Sequence, residues 1–186
     1  ISWHVGDSNV LLTDAPLADM VFSCPPYFDL EQYSDNPADL SNVSWEHFCE
    51  VYRSIIKQCV DRMKPNTFAT VVVGEVRNKK TGMYRGFVPL TVTAFQDAGA
   101  HFYNEAILVT AVGSLPIRIT KQFDSGRKLG RTHQSVLCFV KGDPRLACEA
   151  VRAGVVAQQT APSRPVAVSL TPPPAPPKPA PSAPAG

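Results

Sequence analysis

Residues 67–74 read Thr-Phe-Ala-Thr-Val-Val-Val-Gly, a run that is apolar or β-branched throughout. A strand with water on one side alternates polar and apolar residues, whereas one buried on both faces does not. The run therefore predicts a central strand of a parallel sheet covered by helices, which sets the fold class as α/β. Ser44 caps an expected helix reaching to about Met63, with Trp45, Phe48, Tyr52, Ile55, Ile56, Cys59 and Met63 recurring along one face. Lys64-Pro65-Asn66 is expected to stop it. A second helix is expected over about 87–98, closed by Gly99 as a left-handed cap. Further strands are expected as a stub at 1–6 and at 18–23, 102–110 and about 134–140, with a short helix over 144–154.

A chain of 186 residues that is 44% apolar buries one core. One domain is expected over 1–155 and a tail over 156–186, because from about Gln158 the composition changes. Ten of the 18 prolines follow residue 160, where only Arg164 and Lys178 are charged. Such a segment cannot build a core and reads as disordered, partly polyproline II chain. Its Pro-x-x-Pro matches follow from proline density and read as a spacer. Cys24, Cys49, Cys59, Cys138 and Cys148 are odd in number and include no Cys-x-x-Cys, so free thiols in a reducing, cytoplasmic compartment are expected. The four histidines are too scattered for a zinc site, and no apolar stretch approaches the ~18 residues that span a bilayer.

The net charge of +2 hides a segregation. Segment 75–86 carries +3 (Arg77, Lys79, Lys80 and Arg85 against Glu75), and 111–133 carries +4 (Arg118, Lys121, Arg127, Lys128 and Arg131 against Asp124), leaving −5 elsewhere. Positive loops on an acidic body are the footprint of phosphate binding, although solvated connecting loops also carry such charge.

The expected strand at 18–23 runs directly into Cys24-Pro25-Pro26-Tyr27. Two prolines donate no backbone hydrogen bond and hold the chain extended, leaving the carbonyls of Cys24 and Pro25 free beside an aromatic ring. An ordinary Pro-Pro turn has this sequence too. Such a corner also suits a planar base with an exocyclic amine, whose hydrogens the carbonyls accept while its face lies on Tyr27.

Together with Trp3-His4-Val5-Gly6-Asp7-Ser8, Asp29-Leu30-Glu31-Gln32-Tyr33-Ser34, Gly74-Glu75-Val76-Arg77, Arg127-Lys128-Leu129-Gly130-Arg131-Thr132-His133-Gln134 and Phe139-Val140-Lys141-Gly142-Asp143, the corner resembles the S-adenosylmethionine-dependent DNA amino-methyltransferases of phages and prophages over about residues 1–145. The resemblance implies methyl transfer to adenine N6 or cytosine N4 in double-stranded DNA. It also implies the carboxyl half of a Rossmann-like methyltransferase sheet, whose last two strands form an antiparallel hairpin. By the same resemblance the Pro25 carbonyl accepts from the target amine, with Cys24 second. Pro26 fixes the turn and Tyr27 stacks on the base. Asp7 corresponds to the acid that contacts the cofactor's adenine, and Arg118, Lys121, Arg127, Lys128 and Arg131 lie where a DNA-contacting segment is expected.

Two departures stand beside it. Cys24 occupies a position usually held by Asp, Asn or Ser, and sulfur is a weak acceptor. The glycine-rich turn that holds the cofactor's methionine end has no counterpart, since the chain contains no Gly-x-Gly. A fragment lacking its amino-terminal third is therefore expected, inactive alone and open to completion by that segment in trans. A methyltransferase acting on RNA or on protein glutamine, and a non-catalytic DNA-binding prophage remnant, remain as alternatives. A cytosine C5 mechanism is disfavoured because its nucleophile follows proline as Pro-Cys, the reverse of the order here.

Overall fold

The computed structural model describes residues 2–36, 39–111 and 115–160, the side chains of 115–118 and 156–160 excepted. Four strands form one sheet: β1 (Ala18–Ser23), β2 (Met63–Val73), β3 (His101–Val109) and β4 (His133–Lys141), in the order β1-β2-β4-β3. β1 and β2 run parallel, while β4 lies antiparallel to both β2 and β3. The helices are α1 (Ser8–Leu11), α2 (Trp45–Asp61), α3 (Phe87–Asp97), α4 (Leu115–Gly126) and α5 (Pro144–Thr160). This is the α/β architecture expected from the sequence, with β3 and β4 antiparallel as expected but joined through α4, and with β2, expected inside a parallel sheet, parallel to β1 and antiparallel to β4.

The core forms where α2 and α3 meet the sheet. Phe48, Tyr52, Ile56 and Val60 of α2 and Phe87, Ala94 and Phe95 of α3 are buried with Ala69, Val71 and Val73 of β2 and Leu137 and Phe139 of β4. Phe95 stacks on Phe139 with centroids 4.1 Å apart. The buried Tyr52 hydroxyl meets Thr91 Oγ1 at 3.0 Å, so this polar pair costs no unmade hydrogen bond. Ser44 caps α2 as expected, its Oγ accepting from the His47 amide. Gly99, at φ +91°, closes α3, and the amides of Gly99 and Ala100 donate to the carbonyls of Gln96 and Phe95.

Four elements differ from the sequence expectation. Residues 2–6 form no strand, and Asp7 caps α1 instead, its Oδ1 accepting from the Asn9 amide. Among the described residues β1 pairs with β2 alone, so residues 2–6 join no ladder. Lys64-Pro65-Asn66 lies inside β2, which starts at Met63, directly after the end of α2. The triplet still bends the chain, because Asn66 sits at φ +59° and the β1–β2 register jumps between Ala18↔Met63 and Met20↔Phe68. The Asn66 side chain then holds the chain after β4, accepting from the Asp143 amide at 2.8 Å. Segment 111–133, expected as a loop, contains α4, with Pro116 in its first turn, where a missing N–H costs nothing. Finally, α5 runs to Thr160 rather than 154, packing against β2 and β4 with Ala147 buried. The expected tail from 161 onward lies outside the described residues.

Candidate active site

The β1–β2 ladder ends at Ser23 opposite Val71, so Cys24-Pro25-Pro26-Tyr27 leaves the sheet at the carboxyl end of its parallel pair. Open α/β sheets present their ligand crevices at this end. The turn is held from behind by Phe28, which is only 5% exposed and sits at φ +53°, a conformation bulky residues rarely adopt. Packing over-determines it, with the ring against Trp45 (5.2 Å) and Phe48 (5.3 Å) and the Arg85 guanidinium 4.8 Å from its centroid.

Tyr27 is fixed by parts of the chain far from it in sequence. Its hydroxyl accepts from Gln134 Nε2 at 2.6 Å and donates toward the Val72 carbonyl at 3.5 Å, a longer contact. Its ring stands edge-on to Phe87, 5.9 Å away. The ring also lies against β2, where a Cβ at Gly74 would be 3.4 Å from Tyr27 Cε2. Burial, followed by the neighbouring Cys24, pushes the phenol above its ordinary value. Tyr27 therefore stays a neutral aromatic platform at physiological pH.

Cys24 is exposed and is a free thiol. With Pro26 it lines an open cleft of about 850 Å³, which Asp7 and Asn9 border from the amino-terminal side and Leu40, His47 and Ile55 from α2 and the loop before it. Asp7 and two residues of the separately expected corner, Cys24 and Pro26, thus face one space. Asp39 on the same wall accepts from the Ser41 amide and hydroxyl and from the Ser34 hydroxyl, which hold its carboxyl below its ordinary value.

The five expected DNA-contacting residues are placed unequally. Arg118 lies in the first turn of α4, its side chain outside the described residues. Lys121 is exposed, and the exposed Arg127 follows α4 at φ +50° with its guanidinium 5.1 Å from the Phe123 ring centroid. Lys128 and Arg131 are half-buried against the first basic segment. Lys128 lies beside Gly82, and Arg131 faces the Tyr84 ring at 5.8 Å. The two basic segments, separate in sequence, meet at one rim.

Sequence reasoning missed the structural roles of three residues. Gln134 anchors Tyr27 across 107 positions. The Glu75 carboxylate caps α3, accepting from the amides of Phe87 and Val88 at 3.1 and 3.0 Å where the helix start, Gly86, offers no side chain. Lys79 donates to the Asp29 carbonyl and lies 3.4 Å from its carboxylate, tying the first basic segment to the turn after Tyr27. Glu75 and Gln134 fall within recognised motifs, but only three-dimensional register assigns them partners.

No protein-family model and no curated protein matches the chain. Solved structures do. A candidate DNA modification methylase from Thermus thermophilus superposes with a TM-score of 0.55 at 17% identity, over 75% of this chain and 53% of its own. The same protein complexed with S-adenosyl-L-methionine gives 0.53 at 17% identity, over 75% and 53%. The PvuII cytosine-N4-specific DNA methyltransferase gives 0.54 at 17% identity, over 74% and 48%. The chain shares the fold of these proteins and spans about half their length. Among the described residues no helix is long and apolar enough to cross a membrane, and no cluster of His, Cys, Asp and Glu could hold a metal.

Proposed function

We propose that this chain carries the base-binding half of an S-adenosylmethionine-dependent DNA methyltransferase acting on an exocyclic amine, adenine N6 or cytosine N4. The observation that carries this reading is the Cys24–Tyr27 corner at the carboxyl end of β1, two of whose residues, Cys24 and Pro26, line the same cleft as Asp7. The structural neighbours with this fold include a cytosine-N4-specific DNA methyltransferase and a protein complexed with S-adenosyl-L-methionine.

The residues present suit the adenosyl end of that cofactor. Asp7 offers a carboxylate acceptor to an adenine amine, and the cleft is wide enough for a nucleoside beside the corner. The chain has no Gly-x-Gly turn for the methionine end. Bound there, the cofactor would supply an electrophilic methyl group, its S–CH3 bond breaking with the electron pair left on sulfur as a neutral thioether. The Pro25 carbonyl, beyond the last ladder pair, accepts a hydrogen from the target amine and draws its lone pair out of conjugation with the ring. Tyr27, held by Gln134, stacks on the extruded base, and Pro26 fixes the distance between carbonyl and ring. The methylated nitrogen then releases its surplus proton to water. Extrusion costs a few kcal/mol of lost stacking, which base–aromatic stacking of about 1–3 kcal/mol partly offsets. Arg127, Lys128 and Arg131, with Lys121 and Arg118, supply the phosphate contacts.

The full gene product is incubated with methyl-tritiated cofactor and, separately, duplex DNA, RNA and glutamine-containing protein, and the labelled products are hydrolysed. Label recovered as N6-methyladenosine or N4-methylcytidine in its deoxy form supports the reading. Label confined to RNA or protein assigns the corner to another amine, and none in any substrate leaves the DNA-binding alternative.

A further inference from the structure

The segment joining β2 to α3 is a closed, rigid hairpin. Arg77 and Tyr84 pair across it, the Asn78 amide donates to the Met83 carbonyl at 2.8 Å, and the Gly82 amide donates to the Asn78 carbonyl at 2.8 Å. Asn78 Oδ1 accepts from the amides of Lys80 and Thr81, and Arg77 Nη1 reaches the Gly82 carbonyl at 2.9 Å. Gly82 takes φ +74°, which the turn requires of it. The Arg77 guanidinium lies 3.8 Å from the Tyr84 ring centroid, with Arg131 on the same ring at 5.8 Å.

Past its polar turn, Lys79 to Gly82, this frame carries exposed apolar side chains on the returning arm. Met83 is 72% exposed and Tyr84 50% exposed, with Arg77 and Arg131 on the Tyr84 ring and Lys128 beside Gly82. A lone exposed methionine is ordinary. One carried beside a hydrogen-bonded turn, on a hairpin that Arg77, Lys128 and Arg131 flank, has the make-up of the wedges that proteins insert between base steps. The hairpin's position is fixed relative to the candidate site, since Lys79 is bonded to Asp29, two residues beyond Tyr27.

Resting on the base-methylation reading above, we propose that hairpin 77–84 enters duplex DNA at the position vacated by the extruded base, with Met83 as the inserting side chain and Tyr84, braced by Arg77 and Arg131, as the platform behind it. The phosphates flanking the gap are met by Lys80 and Lys128. Filling the gap offsets the unstacking that extrusion costs, so the hairpin serves flipping rather than overall affinity.

The test compares binding of the full chain to two fluorescein-labelled duplexes, identical except that one carries a single abasic position, where no base remains to be unstacked. The unaltered protein should bind the abasic duplex about tenfold more tightly. Met83→Ala should bring the ratio close to one with the salt dependence unchanged, and Met83→Leu, still apolar, should keep most of it. Equal binding of both duplexes by the unaltered protein, or a preference that survives Met83→Ala, overturns the wedge while leaving DNA binding and base methylation standing. Failure to bind either duplex overturns both readings together.

Discussion

The Tyr27 corner and the basic rim lie side by side but are held in different ways. Tyr27 is gripped by Gln134 of β4, Val72 of β2 and Phe87 of α3, groups brought to it by the whole fold. The rim combines contacts within its own turns, Asn78 on the Lys80 and Thr81 amides and Arg127 on Phe123, with looser packing between its two segments, Lys128 beside Gly82 and Arg131 5.8 Å from the Tyr84 ring centroid, and leaves Lys79, Lys80, Lys121 and Arg127 exposed. The difference matches what the proposed function asks of each. Stacking and hydrogen bonding to an amine depend on tenths of an ångström, whereas attraction to phosphates depends on charge within a Debye length of about 8–10 Å. Changes at the corner should therefore alter rate without altering salt dependence, and changes at the rim should do the reverse.

The sharpest break is Tyr27→Ala. Losing a base-stacking platform worth about 1–3 kcal/mol should lower the methylation rate by roughly 5- to 150-fold. Cofactor affinity, followed by calorimetry, should change less than about twofold. At the rim, Arg127→Ala with Lys128→Ala should flatten the slope of log affinity against log salt by up to about 2, since each phosphate contact contributes about 0.9. Weakening should be the same for all duplex sequences, and a loss confined to one sequence would mean that these side chains read bases.

A smaller effect tests whether the corner is positioned through β4. Gln134→Ala and Tyr27→Phe should each cost roughly 2- to 10-fold in rate, the value of one hydrogen bond of about 0.5–1.5 kcal/mol. The double variant should cost no more than either alone, which a double-mutant cycle reads directly. The smallest effect on function should come from Glu75→Ala. It removes the acceptor for two α3 amides and should lower stability by about 1 kcal/mol in urea unfolding, while the rate at saturating substrate stays within about twofold.

Local patterns made much of the fold legible. The apolar run at 67–74 announced the central strand, Ser44 and Gly99 marked helix ends, and the spacing from Trp45 to Cys59 gave the buried face of α2. The corner was legible as a sequence because Pro-Pro-Tyr fixes its own backbone. Register was not legible. Nothing near Gln134 says that it ends opposite Tyr27, or that Lys128 will lie beside Gly82. Charge also masked structure, as the Lys/Arg content of 111–133 suggested a loop although Ile119, Gln122, Phe123 and Gly126 are spaced as on a helix. Pro65 marks a kink, as its chemistry demands, but the kink falls in a strand rather than after a helix, because β2 begins without any connecting loop.

The central claim is that the corner acts through oxygen acceptors on an amine, and that Cys24 stands where a better acceptor would serve. Cys24→Ser in the labelled-transfer assay tests it most directly, with Cys24→Asp beside it. Because oxygen accepts hydrogen bonds better than sulfur, both variants should transfer methyl groups to DNA at least as fast as the unaltered protein. Loss of transfer in both, with cofactor and DNA still bound, would make the thiol a nucleophile and contradict the account.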